Sequence, residues 1–110
     1  MERFVKGDLV VVPFPFSDLT GTKRRPALVV AKLSGDDRIL AQITKQTGDG
    51  NSIQITQNDC DDGTLNQTCN VRPGKIFTAD ISVIIRRVGH LKPETVKTVT
   101  TKIIEVLLHN

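Results

Sequence analysis

Asp8-Leu9-Val10-Val11-Val12-Pro13 and, after a short gap, Arg25-Pro26-Ala27-Leu28-Val29-Val30-Ala31 are the stretches whose reading decides the fold. The first run is apolar and β-branched, preceded by Gly7 and followed by Pro13 and Pro15. It reads as a strand that leaves its sheet at the prolines, because proline donates nothing to a ladder. From Pro26 on the second run is continuously apolar, which predicts a strand buried on both faces. Between them, residues 17–22 are rich in turn formers, with Gly21 as the tight point. Gly35-Asp36-Asp37 makes a tight connection into a third strand, 39–44, so the second and third strands form a hairpin. Gly48-Asp49-Gly50 breaks the chain again, and residues 52–56 alternate as a short, half-exposed strand would. Residues 57–70 are polar, acidic and loop-like, and two further strands are expected over 70–79 and 81–88. From Pro93 the period changes. Val96, Val99, Ile103 and Leu107 recur at spacings of three and four, the apolar stripe of an amphipathic helix. Pro93 and Glu94 suit its first turn, while its many Thr and Val residues make it depend on packing. The expectation is a mainly β chain, a small barrel closed by a C-terminal helix, with residues 1–110 as one domain.

Composition bounds the function. At 110 residues, 38% hydrophobic and 25% charged, the chain has the balance of an ordinary globular domain. The longest apolar stretches, 9–16 and 26–31, fall well short of the roughly 20 residues that cross a membrane. The first residues carry neither an apolar core nor a cleavage site, so no secretory signal is expected. Cys60 and Cys69 make no disulfide framework, and the chain reads as cytoplasmic with reduced thiols. Fifteen Lys and Arg against 12 Asp and Glu leave a formal +3, which permits nucleic-acid binding without demanding it. Acids bunch at Asp59, Asp61 and Asp62, and bases at Lys23-Arg24-Arg25, at Arg72 and Lys75, and at Arg86-Arg87. A fold that separates these groups would show a positive face. With four Phe and no Trp or Tyr, a broad aromatic groove for single strands is excluded.

Few residues offer chemistry. His90 and His109 flank the helix with no acidic partner nearby in sequence, and His90 reads as a turn residue. The acidic loop around Cys60 lacks both the spacing and the closing Glu of a calcium site, and no metal site is expected. Neither a phosphate-binding glycine loop nor a serine elbow is present. What remains is the glycine-containing loop that runs into Lys23-Arg24-Arg25 and then into the strand opened by Pro26. Arg25 at the mouth of a rigid strand suits bidentate phosphate holding. The other reading is a solvated, charged loop tip.

The run from Lys6 to Val30, KGDLVVVPFPFSDLTGTKRRPALVV, resembles the opening of the MazF/PemK family, toxins of bacterial type II toxin–antitoxin modules. The likeness continues through Ile39-Leu40-Ala41-Gln42-Ile43-Thr44-Lys45 and Val71-Arg72-Pro73-Gly74-Lys75-Ile76-Phe77-Thr78. It closes at Val88-Gly89-His90-Leu91 and the helix, so it spans nearly the whole chain in order. The resemblance implies the small SH3-like barrel of the MazF/CcdB type and a metal-independent, single-strand-specific endoribonuclease with no cofactor. It also implies a homodimer and a cognate antitoxin whose acidic, partly disordered tail occupies the RNA groove. The family's catalytic arginine falls on Arg25 and its catalytic threonine on Thr44. The gate loop falls on 14–24, and RNA contacts on Lys23, Arg24, Gln46, Arg72 and Lys75. Where many relatives carry serine, this chain has Cys69, a departure at the groove wall.

Cleavage without metal uses the ribose 2′-hydroxyl as internal nucleophile, and the protein supplies orientation and charge stabilisation. A 2′,3′-cyclic phosphate and a 5′-hydroxyl are the expected products. Arginine, with a pKa above about 12, is poorly matched to proton exchange, so Arg25 is read as mainly electrostatic. Three rivals stand beside this reading. A CcdB-like gyrase poison depends on a tail ending in Trp-Gly-Ile, and this chain has no Trp. A silent member would bind RNA or antitoxin only, and retention of Arg25 and Thr44 argues against it. A proline-binding SH3 module needs an aromatic groove that four Phe supply poorly.

Overall fold

The computed structural model describes residues 3–14, 23–46 and 50–110, with Phe14 described by its backbone alone. Seven strands follow the β-branched runs: β1 Asp8–Phe14, β2 Lys23–Lys32, β3 Asp37–Thr44, β4 Ile53–Ile55, β5 Cys60–Gly63, β6 Cys69–Asp80 and β7 Arg86–Leu91. One helix, α1, covers Pro93–His109. The strands form one sheet in the order β4-β6-β3-β2-β1-β7-β5, antiparallel at every pairing. The sheet curls into a half-barrel carrying the C-terminal helix, the mainly β architecture that the sequence predicts.

Both faces of the central strands are buried, which explains why β2 is apolar without alternation: Ala27, Leu28, Val29 and Val30 are all in the core. One apolar cluster includes Leu9, Leu28, Ile43, Val71 and Leu91 and receives Val96, Val99 and Ile103 from the helix. The opposite face gathers Val10, Val12, Ala27, Val29, Leu40 and Ile84, with Phe4 and Phe77 packed at its margin. Leu107, counted in the helical stripe, lies past the end of the sheet and is 67% exposed. The helix start is held by Asp59, whose carbonyl accepts from Lys92 N–H at 2.8 Å and whose carboxylate accepts from Thr95 Oγ1 at 3.0 Å.

Prolines sit in gaps of the ladders rather than at strand ends. β1 runs through Pro13, paired with Arg24, instead of leaving the sheet there. β7 reaches only to Val11 on the other side of β1, so a residue without an N–H interrupts no ladder at Pro13. Pro26 stands just beyond the last paired residues of β2 and β3, Ala27 and Gln42. Three further expectations are corrected. Residues 60–63, read as loop, form β5, a short polar strand on the sheet edge where exposure removes the apolar signal. Residues 81–83 form a 3-10 turn, and β7 starts only at Arg86, because Asp80 caps that turn through Ser82 N–H at 2.8 Å. His90 lies on β7 rather than in a turn, and its Nδ1 is 3.0 Å from Oδ1 of Asp61. Gly63 takes a positive φ of 81° where β5 approaches the β7 backbone too closely for a side chain. The turn expected at 17–22 and the first part of the break at 48–50 lie outside the described residues.

Candidate active site

The ladder between β3 and β6 contains the irregularity that makes the site. Ala41 pairs with Ile76, yet Ile43 pairs with Val71, so the single residue Gln42 faces the whole of 72–75. Arg72-Pro73-Gly74-Lys75 therefore forms a bulge within β6, with Pro73 fully buried where no regular ladder is kept. Beside it, the β2–β3 ladder ends at Ala27↔Gln42, and Arg25 and Thr44 each lie two residues beyond that pair on their own strand and border one cavity. Residues alternate faces along a strand, so Arg25, Ala27, Gln42 and Thr44 share one face.

A cavity of about 880 Å3 opens on that face. Its cations are Lys23, Arg24 and Arg25 from β2, Lys45 after β3, and Arg72 and Lys75 from the bulge. Thr44 and Gln46 line it as well, so every proposed site residue borders one groove. Among the described residues no carboxylate lines it. Arg25 and Thr44 are half-buried, as is Arg72, while Lys23, Arg24, Gln46 and Lys75 are exposed. Guanidinium and ammonium groups are donors only, so the groove presents donors and positive charge to an anion.

The rim beyond β3 is held by Gln46, which the sequence pointed to, and by Asn70, which sequence reasoning missed. The backbone N–H of Gln46 donates to Thr44 Oγ1 at 3.2 Å, and the Gln46 carbonyl accepts from Asn70 Nδ2 at 2.9 Å. Asn70 also pairs with Thr44 across the ladder and is 9% exposed. Its amide thus fixes the turn that positions Thr44. Its strand mixes apolar and charged residues, so no pattern in the sequence marks it.

Other groups singled out in the sequence lie elsewhere. Cys69 is not on the groove wall but in the helix-side core, 4% exposed, with Sγ donating to the Gln67 carbonyl at 3.4 Å. Burial pushes the Cys69 thiol above its ordinary range, and burial with neighbouring Asp59 and Asp61 does the same to Cys60. Arg87 joins no positive face. Its Nε donates to buried Asp8 at 3.0 Å and a second nitrogen donates to Asp62 at 2.8 Å. The acids of β5 lie at the edge of the sheet beyond β7, away from the strands β2, β3 and β6 that supply the groove's cations. Among the described residues no group of three or more His, Cys, Asp or Glu side chains is placed to hold a metal. The gate loop expected at 14–24 falls for residues 15–22 outside the described residues.

A curled antiparallel half-barrel with a C-terminal helix, open on one face as a cationic groove, is the class of protein that these features define. The chain belongs to the PemK-like, MazF-like toxins of type II toxin–antitoxin systems, whose family model matches residues 5–107. Among curated proteins no sequence match is found. Solved structures share the fold at low identity. A MazE–MazF complex from Deinococcus radiodurans is similar at 17% identity and a TM-score of 0.74, covering 96% of this chain and 97% of that one. A mycobacterial endoribonuclease in complex with its cognate antitoxin is similar at 17% identity and a TM-score of 0.72, covering 96% of each. The toxin MazF-mt6 of Mycobacterium tuberculosis is similar at 15% identity and a TM-score of 0.72, covering 94% and 98%. No helix of the described residues is long and apolar enough to cross a membrane.

Proposed function

We propose that this toxin is a metal-independent endoribonuclease that cuts single-stranded RNA at sequence-defined positions. The observation that carries the reading is the convergence of Arg25 and Thr44 on one face of adjacent strands, inside a cavity lined by cations and, among the described residues, by no carboxylate. Names borne by the similar structures, endoribonuclease and toxin–antitoxin complex, support it at the level of the fold.

In this mechanism the scissile phosphate sits between Arg25 and Thr44. The 2′-oxygen of the preceding ribose attacks phosphorus, its proton passing to water, and the bond to the 5′-oxygen breaks. That oxygen takes a proton from water and leaves as a 5′-hydroxyl, and the other fragment keeps a 2′,3′-cyclic phosphate. Arg25 places a fixed charge and a planar fork of donors on the phosphoryl oxygens as charge develops. Thr44 donates its hydroxyl proton to the same oxygens. Lys23, Arg24, Gln46, Arg72 and Lys75 hold the flanking strand. The protein works in the bacterial cytoplasm as a homodimer. A cognate antitoxin with an acidic, partly disordered tail competes for the same cations. Residues 1–110 act as one domain.

The test is cleavage of a long single-stranded RNA in EDTA by the wild type and by Arg25→Ala. Cuts made by the wild type, lost in the variant and absent from a substrate with deoxyribose at the cut are the expected result. Failure of the wild type to cut, or cutting of the deoxyribose substrate, overturns the mechanism.

A further inference from the structure

Two lining residues have no part in the phosphate chemistry above. Gln42 lies two residues before Thr44 on β3 and on the same face, about 7 Å along the strand. Its partner on β2 is Ala27, which carries only a methyl group, and toward β6 it faces residues 72–75, where the ladder is interrupted. The side chain is half-buried and borders the cavity, and among the described residues its amide has no hydrogen-bond partner. Its amide therefore has both a donor and an acceptor to offer a polar ligand in the cavity. Phe77 pairs with Leu40 across the β3–β6 ladder and so shares that face. It packs against the apolar cluster containing Val29 and Leu40 and also lines the cavity.

We propose that Gln42 and Phe77 form a nucleobase subsite beside the phosphate position, and that this pair sets which base is accepted next to the cut. The proposal rests on reading the groove as an RNA cleft. The base lies against the Phe77 ring, a contact every base can make. Its edge then exchanges one donor and one acceptor bond with the Gln42 amide. The cations around it are donors only, so they hold backbone and leave base reading to the amide. The step from Thr44 to Gln42 matches the step from a phosphate to the base of its own nucleotide. Direction along the groove follows: phosphate at the Arg25 end, base toward Phe77.

The test compares wild type, Gln42→Leu, Gln42→Glu and Phe77→Leu on a randomised RNA pool, with cut positions sequenced. A second arm uses one preferred oligonucleotide and its abasic counterpart at the selected position. Expected are a base preference at one position next to the cut that Gln42→Leu flattens and Gln42→Glu redirects toward bases presenting donors. On the intact oligonucleotide, Gln42→Leu and Phe77→Leu each lose about tenfold, and on the abasic one they match the wild type. An unchanged profile, or equal losses on intact and abasic RNA, overturns the subsite, the latter because Gln42 then acts on the phosphate residues. Binding of the same pool with 2′-O-methyl ribose separates the two readings. If the wild type binds RNA base-selectively, loses that selectivity in Gln42→Leu and cuts nothing, the subsite stands and the nuclease falls. If no base selectivity appears in cutting or binding, the subsite falls.

Discussion

The Gln46 backbone N–H donates to Thr44 Oγ1 at 3.2 Å, so one acceptor site of the hydroxyl is taken while its O–H stays available to donate. This polarity is what a phosphate oxygen needs from a neighbouring hydroxyl. Thr44→Val keeps shape and removes the donor, and we expect a loss of about 100-fold or more in cleavage rate. Thr44→Ser restores the donor without the methyl and should recover most of that loss. Single-turnover cleavage of one oligonucleotide checks both. Equal rates for Val and Ser variants would show that the hydroxyl is not used.

Arg25 offers a test of geometry rather than charge. Lysine retains the positive charge but replaces a planar fork with a point charge, so Arg25→Lys should cut far more slowly while still binding RNA. The expected outcome is a rate loss on the order of tenfold to a hundredfold with affinity for a non-cleavable RNA nearly kept. Titration of that RNA alongside single-turnover kinetics separates the two quantities.

The contact between Arg87 and Asp62 predicts an acid limit. The hydrogen bond and charge of Arg87 hold the Asp62 carboxyl below its usual range. A depressed folded-state pKa gives stability that is present above the unfolded value of about 3.9 and is lost as pH falls through the folded one. Asp62→Asn should therefore melt below the wild type at pH 6, with the difference shrinking as pH falls below that unfolded value. Thermal melts of both proteins across that range provide the check. Asp62 is exposed, so the effect is a modest shift.

Leu28 is fully buried in the layer between sheet and helix. Truncation to Ala should cost about 2–5 kcal/mol, measured by urea unfolding, because the central strands cannot close around the void. The same replacement at Leu107, which is 67% exposed, should stay within about 0.5 kcal/mol.

Thiol chemistry follows from burial. Cys69 and Cys60 both have raised thiol pKa values, so each presents little thiolate near neutral pH. Iodoacetamide at pH 7.5 should label the folded protein slowly and the urea-unfolded protein fully at both positions, with Cys69 the slower. Mass spectrometry of time points reads this out.

Most of the architecture was legible because burial writes itself into composition. The unbroken apolar run 27–30 could only be a strand covered on both sides, and Val96, Val99 and Ile103 kept a helical period because one face of α1 meets the sheet. β5 was not legible, since Cys60-Asp61-Asp62-Gly63 is exposed at an edge and its pairing with β7 is a matter of backbone alone. Arg25 and Thr44 stood out through resemblance, whereas Gln42 and Asn70 did not. Their placement depends on a ladder register and a bulge, neither of which leaves a periodic trace in the chain.

That bulge separates two kinds of freedom. Ile43↔Val71 and Ala41↔Ile76 each pin β6 to β3 on their own side of it, so neither anchor depends on the path taken between them. Within residues 72–75 only Pro73 is fully buried, while Arg72, Gly74 and Lys75 reach the surface. Charge and side-chain size can vary at those three positions while Pro73 and the two anchors keep the interior in register, so the wall of the groove can diversify around a fixed core.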